Sequence, residues 1–196
     1  MRDGSSADNR SIAINVVAGL IGGLVAAWTM ERFQEALHRV SEDMESAPGG
    51  GGQQHRPPQS EPATYKAADL VSEAVTGEQV PREYKPAAGS LVHYAFGGAI
   101  GAIYGAAAAR TPDVTSWVGL PFGATVWLIA DEMGVPLAGL SHPPTEYPLS
   151  SHLSAFATHL VYGATTECVR RALVSLSPDG RAAAPDRRDE PLQLEA

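Results

Sequence analysis

The stretch AAGSLVHYAFGGAIGAIYGAAAA, residues 87–109, contains no Asp, Glu, Lys or Arg. A membrane-spanning helix needs about 20 mostly apolar residues, within a range of ~17–25, and this run supplies them without interruption. Period-two alternation is absent, and Ala and Leu dominate at small-residue spacing, so strands are excluded. Gly97, Gly101 and Gly105 recur every fourth residue and form one continuous small-residue ridge on the helix.

Three further runs share this character. Residues 12–30 form the first span and carry Gly19 and Gly23 at the same four-residue spacing. Residues 118–140 form the third, interrupted by Asp131 and Glu132 and carrying Gly119 and Gly123. Residues 151–173 form the fourth, with His152, His159 and Glu167 inside it. The reading is an all-α integral membrane bundle of four transmembrane helices, with residues 87–109 as the second. In lipid, helices associate through close backbone approach and polar contacts, so the glycine ridges mark packing faces. They serve packing within one bundle or, alternatively, association of two copies into a homo-oligomer.

The rest of the chain holds the charges. Over all 196 residues the charged fraction is 18%, below the ~25% of an ordinary soluble domain, and a soluble globule is excluded. The net charge of −8 argues against a nucleic-acid partner, which needs clustered Lys and Arg. The implied partner is the lipid bilayer. The single cysteine, Cys168, excludes an intramolecular disulfide and a Cys-rich metal site, and it reads as a small packing residue.

Residues 1–11 are an N-terminal flank, and residues 31–86 read as a long polar loop between the first two spans. Within that loop, Pro48, the glycines at 49–52 and Pro57-Pro58 have flexible-linker composition. Ala67, Ala68, Val71, Ala74 and Val75 recur at helical spacing, so a short helix over 62–75 is expected, started by Pro62 and ended by Gly77. It lies either at the membrane surface or against the bundle. Residues 177–196, rich in Pro, Ala, Arg and Asp, read as a disordered tail.

The first span has a competing reading as a signal peptide, since Arg2 and Arg10 precede it and Val25-Ala26-Ala27 resembles a cleavage site. Its apolar core exceeds the usual ~7–15 residues, which favours retention. Orientation follows from basic residues. Lys and Arg number two before the first span, six in 31–86, one in 110–117, none in 141–150 and five over 168–196, counting Arg170 and Arg171 at the end of the fourth span. Both termini are therefore placed in the cytoplasm, the base-free loop at 141–150 and the Arg170-Arg171 pair being the stronger evidence.

Ionisable residues inside a membrane cost at least ~2.5 kcal/mol each at its centre and need partners. Threading the four spans up and down puts His93, Glu132 and His159 roughly 9–12 Å from one face at 1.5 Å per residue. His152 lies near that face, on the same side of its helix as His159, and Glu31 and Glu35 follow the first span at the same end. The candidate polar cluster is His93, Asp131, Glu132, His152, His159 and Glu167. On an α-helix adjacent Asp131 and Glu132 point ~100° apart, so both are not assigned inward. Such a set can pass protons near neutral pH, hold a divalent metal, or simply hydrogen-bond the helices together. No nucleophile elbow, His-Glu-x-x-His or phosphate loop occurs, so nothing in the sequence supports an enzyme and no cofactor is implied.

Gly139-Leu140-Ser141-His142-Pro143-Pro144, His159-Leu160-Val161 and the run from Glu167 through Arg170-Arg171 to Leu173 together resemble the YagU-like inner-membrane proteins. Leu91 to Gly97, Tyr104-Gly105 and Gly119 to Trp127 carry the resemblance further. It covers about residues 91–173 and implies a multi-pass bacterial inner-membrane protein with no established activity. His93, His159, Glu167, Arg170 and Arg171 are the shared polar positions it implies. Two functional classes follow. In one, the cluster handles protons or cations, in envelope stress or acid tolerance. In the other, the chain is a structural or interaction membrane protein.

Overall fold

The computed structural model describes residues 3–46 and 61–177, and every regular element among them is helical. The helices are α1 (Asp3–Ser46), α2 (Ala63–Thr76), α3 (Lys85–Arg110), α4 (Leu120–Val126), α5 (Val135–Leu137) and α6 (Leu149–Leu176). A π-helical segment, Trp127–Gly134, joins α4 to α5. The Gly-rich linker expected over 49–58 and the tail beyond Ser177 lie outside the described residues.

Where a polar loop is expected after the first span, α1 instead continues to Ser46. Residues 31–46 hold no Gly or Pro, and Arg32 pairs with Glu35 one turn on at 2.7 Å, so nothing breaks the helix before Pro48. Gly77 ends α2 in the left-handed conformation (φ 81°), its N–H bonded to the Glu73 carbonyl. The third apolar run enters its helix at Leu120, after Trp117, Val118 and Gly119 take φ of 54°, 56° and 77°. It leaves at Leu137, where left-handed Gly139 lets the Leu140 N–H reach back to the Val135 carbonyl.

Three stretches, Asp8–Asp43, Arg82–Arg110 and Pro112–Leu137, are long and apolar enough to cross a membrane. Helix α6 spans 28 residues but is more polar, carrying Glu167, Arg170 and Arg171 together. The chain runs antiparallel from α1 to α3, and α6 runs antiparallel to both α1 and α4. The contacts that fix these directions are glycine contacts. A Cβ on Gly105 would fall on the Asn15 carbonyl, one on Gly101 on that of Gly19, and one on Gly23 on that of Gly97. Gly119 and Gly123 press in the same way on Gly163 and on the His159 backbone of α6. All seven glycines of the ridges are buried inside this one bundle.

The burial pattern is inverted relative to a water-soluble bundle. The interior holds Ala18, Ala26, Ala27 and Gly together with Asn15, Thr158, Thr166 and Glu167. Val17, Ile21, Trp28, Leu91, Ile103 and Ile129 face outward. Small and polar residues inside with large apolar residues outside are what a lipid solvent selects. The helices therefore point to a membrane protein. Cys168 is exposed on α6, which corrects its reading as a packing residue: Glu167 and Arg170 occupy the buried side of that turn.

Candidate functional site

The polar side chains collect at the two ends of the bundle. At the end holding the C-terminal half of α1 and the start of α6, a cavity of about 690 Å³ opens between α1, α2, α3, the π-helical segment and α6. His93 on α3, Asp131 on the π segment and His159 on α6 line it together, with Glu31 of α1 at its edge. Residues Pro62 to Tyr65 of the α2 start cover one side, and the Tyr65 ring lies over Gly89 of α3.

Each ring has one nitrogen committed. His93 Nε2–H donates to the Ala27 carbonyl at 3.3 Å, and His159 Nδ1–H donates to the Ala155 carbonyl at 2.8 Å. A carbonyl can only accept, so these bonds put the proton on that nitrogen and leave the other ring nitrogen an acceptor in the neutral form. Glu31 accepts from the Tyr94 hydroxyl at 2.8 Å. Asp131 shares the cavity wall with His159 and an adjoining cleft with Glu132 and His152.

An adjoining cleft of about 240 Å³ shares Asp131 with the cavity and adds Glu132, His142 and His152. There His152 Nδ1 meets Glu132 Oε1 at 2.6 Å, while its Nε2 meets the Pro144 carbonyl at 3.0 Å. Both carboxylates thus face open space, unlike the single inward one an α-helix allows. The π-helical turn is the reason, because i→i+5 closure rotates successive residues by less. Pro136 contributes: it has no N–H to close an α-helical bond to the Glu132 carbonyl.

Glu167 does not join this group. It is fully buried at the opposite end of the bundle, where Arg170 grips it with Nε at 2.7 Å and Nη2 at 2.8 Å. Arg171 also donates to it, and the Tyr104 hydroxyl donates at 2.9 Å. Arg170 reaches on to Asn15 Oδ1 at 2.6 Å and Arg171 to the Thr115 carbonyl at 2.7 Å. Four segments of chain meet on one carboxylate network. Sequence reading missed Asn15 and Tyr104. Asn15 is a polar residue in the first apolar run and so signals a buried partner; Tyr104 sits one residue before ridge glycine Gly105.

Between the two ends lies an aromatic layer. Tyr162 lines the cavity and donates to the Gly97 carbonyl at 2.6 Å; Phe122 lies 5.9 Å from it and stacks on Tyr104 at 4.1 Å. This layer separates the cavity from Glu167. Among the described residues, no group of three or more His, Cys, Asp or Glu side chains has a metal-binding arrangement.

No curated protein and no solved structure matches the chain. A family model described as "Protein of unknown function (DUF1440)" matches residues 60–168, from the start of α2 to just beyond Glu167. That stretch is more than half of the chain and contains most of the residues around both cavities, so the chain belongs to the DUF1440 family of unknown function.

Proposed function

We propose a multi-pass bacterial inner-membrane protein that binds protons or small cations in the His93, Asp131 and His159 cavity. The observation that carries this reading is the charge of the lining: Glu31, Asp131, His93 and His159 face one cavity to which no Lys or Arg among the described residues contributes. Imidazoles and carboxylates together exchange protons near neutral pH. A role in envelope stress or acid tolerance follows from a site of this kind opening at one face. The YagU-like resemblance supports the inner (plasma) membrane.

Four crossings are proposed, α6 supplying the fourth by running the length of α1 and α4. Both termini are cytoplasmic, for which the paired Arg170 and Arg171 and the base-free loop at 141–150 are the support. Retention of the first span is supported by Ala26 and Ala27, which are completely buried in the bundle where a signal peptide would be cut.

The test compares thermal unfolding of the detergent-solubilised protein in different alkali and alkaline-earth chlorides at constant ionic strength, together with proton flux in proteoliposomes under an imposed pH gradient. A cation-specific rise in Tm, or a flux, that Asp131→Asn removes is the expected result. Absence of both overturns the reading in favour of a structural or interaction protein, which the interlocking network around Glu167 would suit.

A further inference from the structure

We propose that the cavity under α2 is a binding site for an organic ammonium ion: a protonated amine carried on an apolar body. The proposal rests on the cation reading above and names the ligand class. Three observations carry it. The first is size: about 690 Å³ is within the ~300–1,000 Å³ typical of small-molecule pockets and far exceeds what a bare ion fills. The second is the body of the wall, which is Ala27, Met30, Val92, Phe96, Val126 and Val135, an apolar surface that a hydrated ion would not wet.

The third is the hydrogen-bonding character of the groups at the inner end. His93 and His159 have each given their one proton to a backbone carbonyl, so what they offer a ligand is a lone pair. Asp131 is acceptor-only when ionised and has no hydrogen-bond donor among the described residues. The Tyr162 hydroxyl has given its proton to Gly97. These inner groups present acceptors and negative charge, and among the described residues no Lys or Arg lines the wall, whose other polar side chains are the neutral Gln34, Thr64, Tyr65 and Ser90. That is complementary to a ligand that brings donors and positive charge. An N–H-bearing ammonium has both; a quaternary ammonium has only the charge, an alcohol only one donor, and a carboxylate neither.

Neutral His159 keeps its Nδ1–H on the Ala155 carbonyl of the preceding turn and offers only the Nε2 lone pair, and Glu132 is already taken by His152 at 2.6 Å. An entering ammonium supplies the missing counter-charge to Asp131, whose carboxylate otherwise faces a largely apolar space at high cost.

The experiment titrates the full-length protein in detergent with phenylbutylammonium by calorimetry. Phenylbutanol, phenylbutyltrimethylammonium and phenylbutyrate serve as matched probes. Ala130→Trp and Ala155→Phe, which fill the cavity from two different walls, report partitioning into the micelle. The expected order is the primary ammonium tightest and the carboxylate weakest. Asp131→Asn should weaken the ammonium at least tenfold and leave the alcohol within about twofold, and both filling variants should bind none of the four. Equal binding of ammonium and alcohol, or equal binding to wild type and to whichever filling variant retains a native unfolding transition, overturns the proposal. If that happens while the cation-specific Tm rise or proton flux persists, the ligand class is wrong and the cation reading stands. If both are absent, both fall.

Discussion

Glu167 is fully enclosed, yet two arginines and a tyrosine converge on it. A buried ion pair adds little over a well-packed apolar pair, but removing one partner strands the other charge at about 3–5 kcal/mol. Glu167→Leu should therefore cost that much in detergent unfolding, and adding Arg170→Met should recover part of it. An effect under about 1 kcal/mol for the single change would mean the network is wet. The pair of Glu132 and His152 at 2.6 Å makes the second prediction at this scale. Glu132→Gln and His152→Gln should be non-additive by about 0.5–3 kcal/mol, whereas Glu132→Gln with Glu167→Gln, at opposite ends, should add. Depth along the spans put His93, Glu132 and His159 at one level from sequence alone; the cavity has His93 and His159 in its wall, with neighbouring Asp131 rather than Glu132 beside them. The grouping of Glu167 with them is corrected, because the fifteen residues from His152 to Glu167 are some 22 Å of helix. Side-chain partners across helices depend on rotation about each axis, which one sequence does not encode; hence Asn15 and Tyr104 went unseen.

Helix pairs obey a simpler rule, and much of it is written in the glycine spacing. The four-residue repeats on α1 and α3 mesh so closely that a single methyl at Gly101 would meet the Gly19 carbonyl. Gly101→Ala should separate α1 from α3 and lower stability by about 1–3 kcal/mol, measured as thermal or denaturant unfolding in detergent. An unchanged midpoint would mean the two helices slide apart freely. Helix α2 is held differently. Asp69 accepts from Lys85 at 2.6 Å and from the Val80 N–H at 3.1 Å, and Lys85 also meets Glu61 at 2.7 Å. The Lys85 ammonium holds the Asp69 carboxyl below its ordinary value of 3.8. A carboxyl depressed in the folded state contributes fully above its unfolded pKa and loses that contribution as pH falls through the lower folded value. So hydrogen exchange in α2 should stay slow from neutral pH down to about pH 4, after correction for intrinsic rates, and accelerate below it. Asp69→Asn should give the fast α2 exchange at every pH; no change would place the hold on α2 elsewhere. Legible in advance were the ends of α2, since Pro62 and Gly77 punctuate any helix. The π-helical turn at 127–134 was not, because the residues that form it, with Pro136 just beyond, read as part of an otherwise ordinary apolar run.

At the scale of the whole molecule, the apolar runs and their inverted burial determine that the bundle is solvated by lipid, and they are blind to which way up it stands. The two ends differ in charge. The cavity end carries Glu31, Asp131, Glu132 and Glu146, and its loop at 141–150 has no basic residue; the other end carries Arg110, Arg170 and Arg171. Basic residues flanking short loops are retained on the cytoplasmic side. In the orientation proposed above, the Glu167 network lies inside and the cavity, with α2 over it, outside. The long segment of 31–86 opposes this with six Lys and Arg, so the base-free loop at 141–150 and the paired Arg170 and Arg171 carry the orientation. A reporter active only in the cytoplasm should therefore work when fused after Leu194 and fail when inserted at Gly51. The reverse pattern would turn the cavity toward the cytoplasm, where its protons and cations would be those of the cell interior. Activity at both positions would remove one crossing, and α6, which is not among the three stretches long and apolar enough to cross, is the one that would have to lie outside the bilayer.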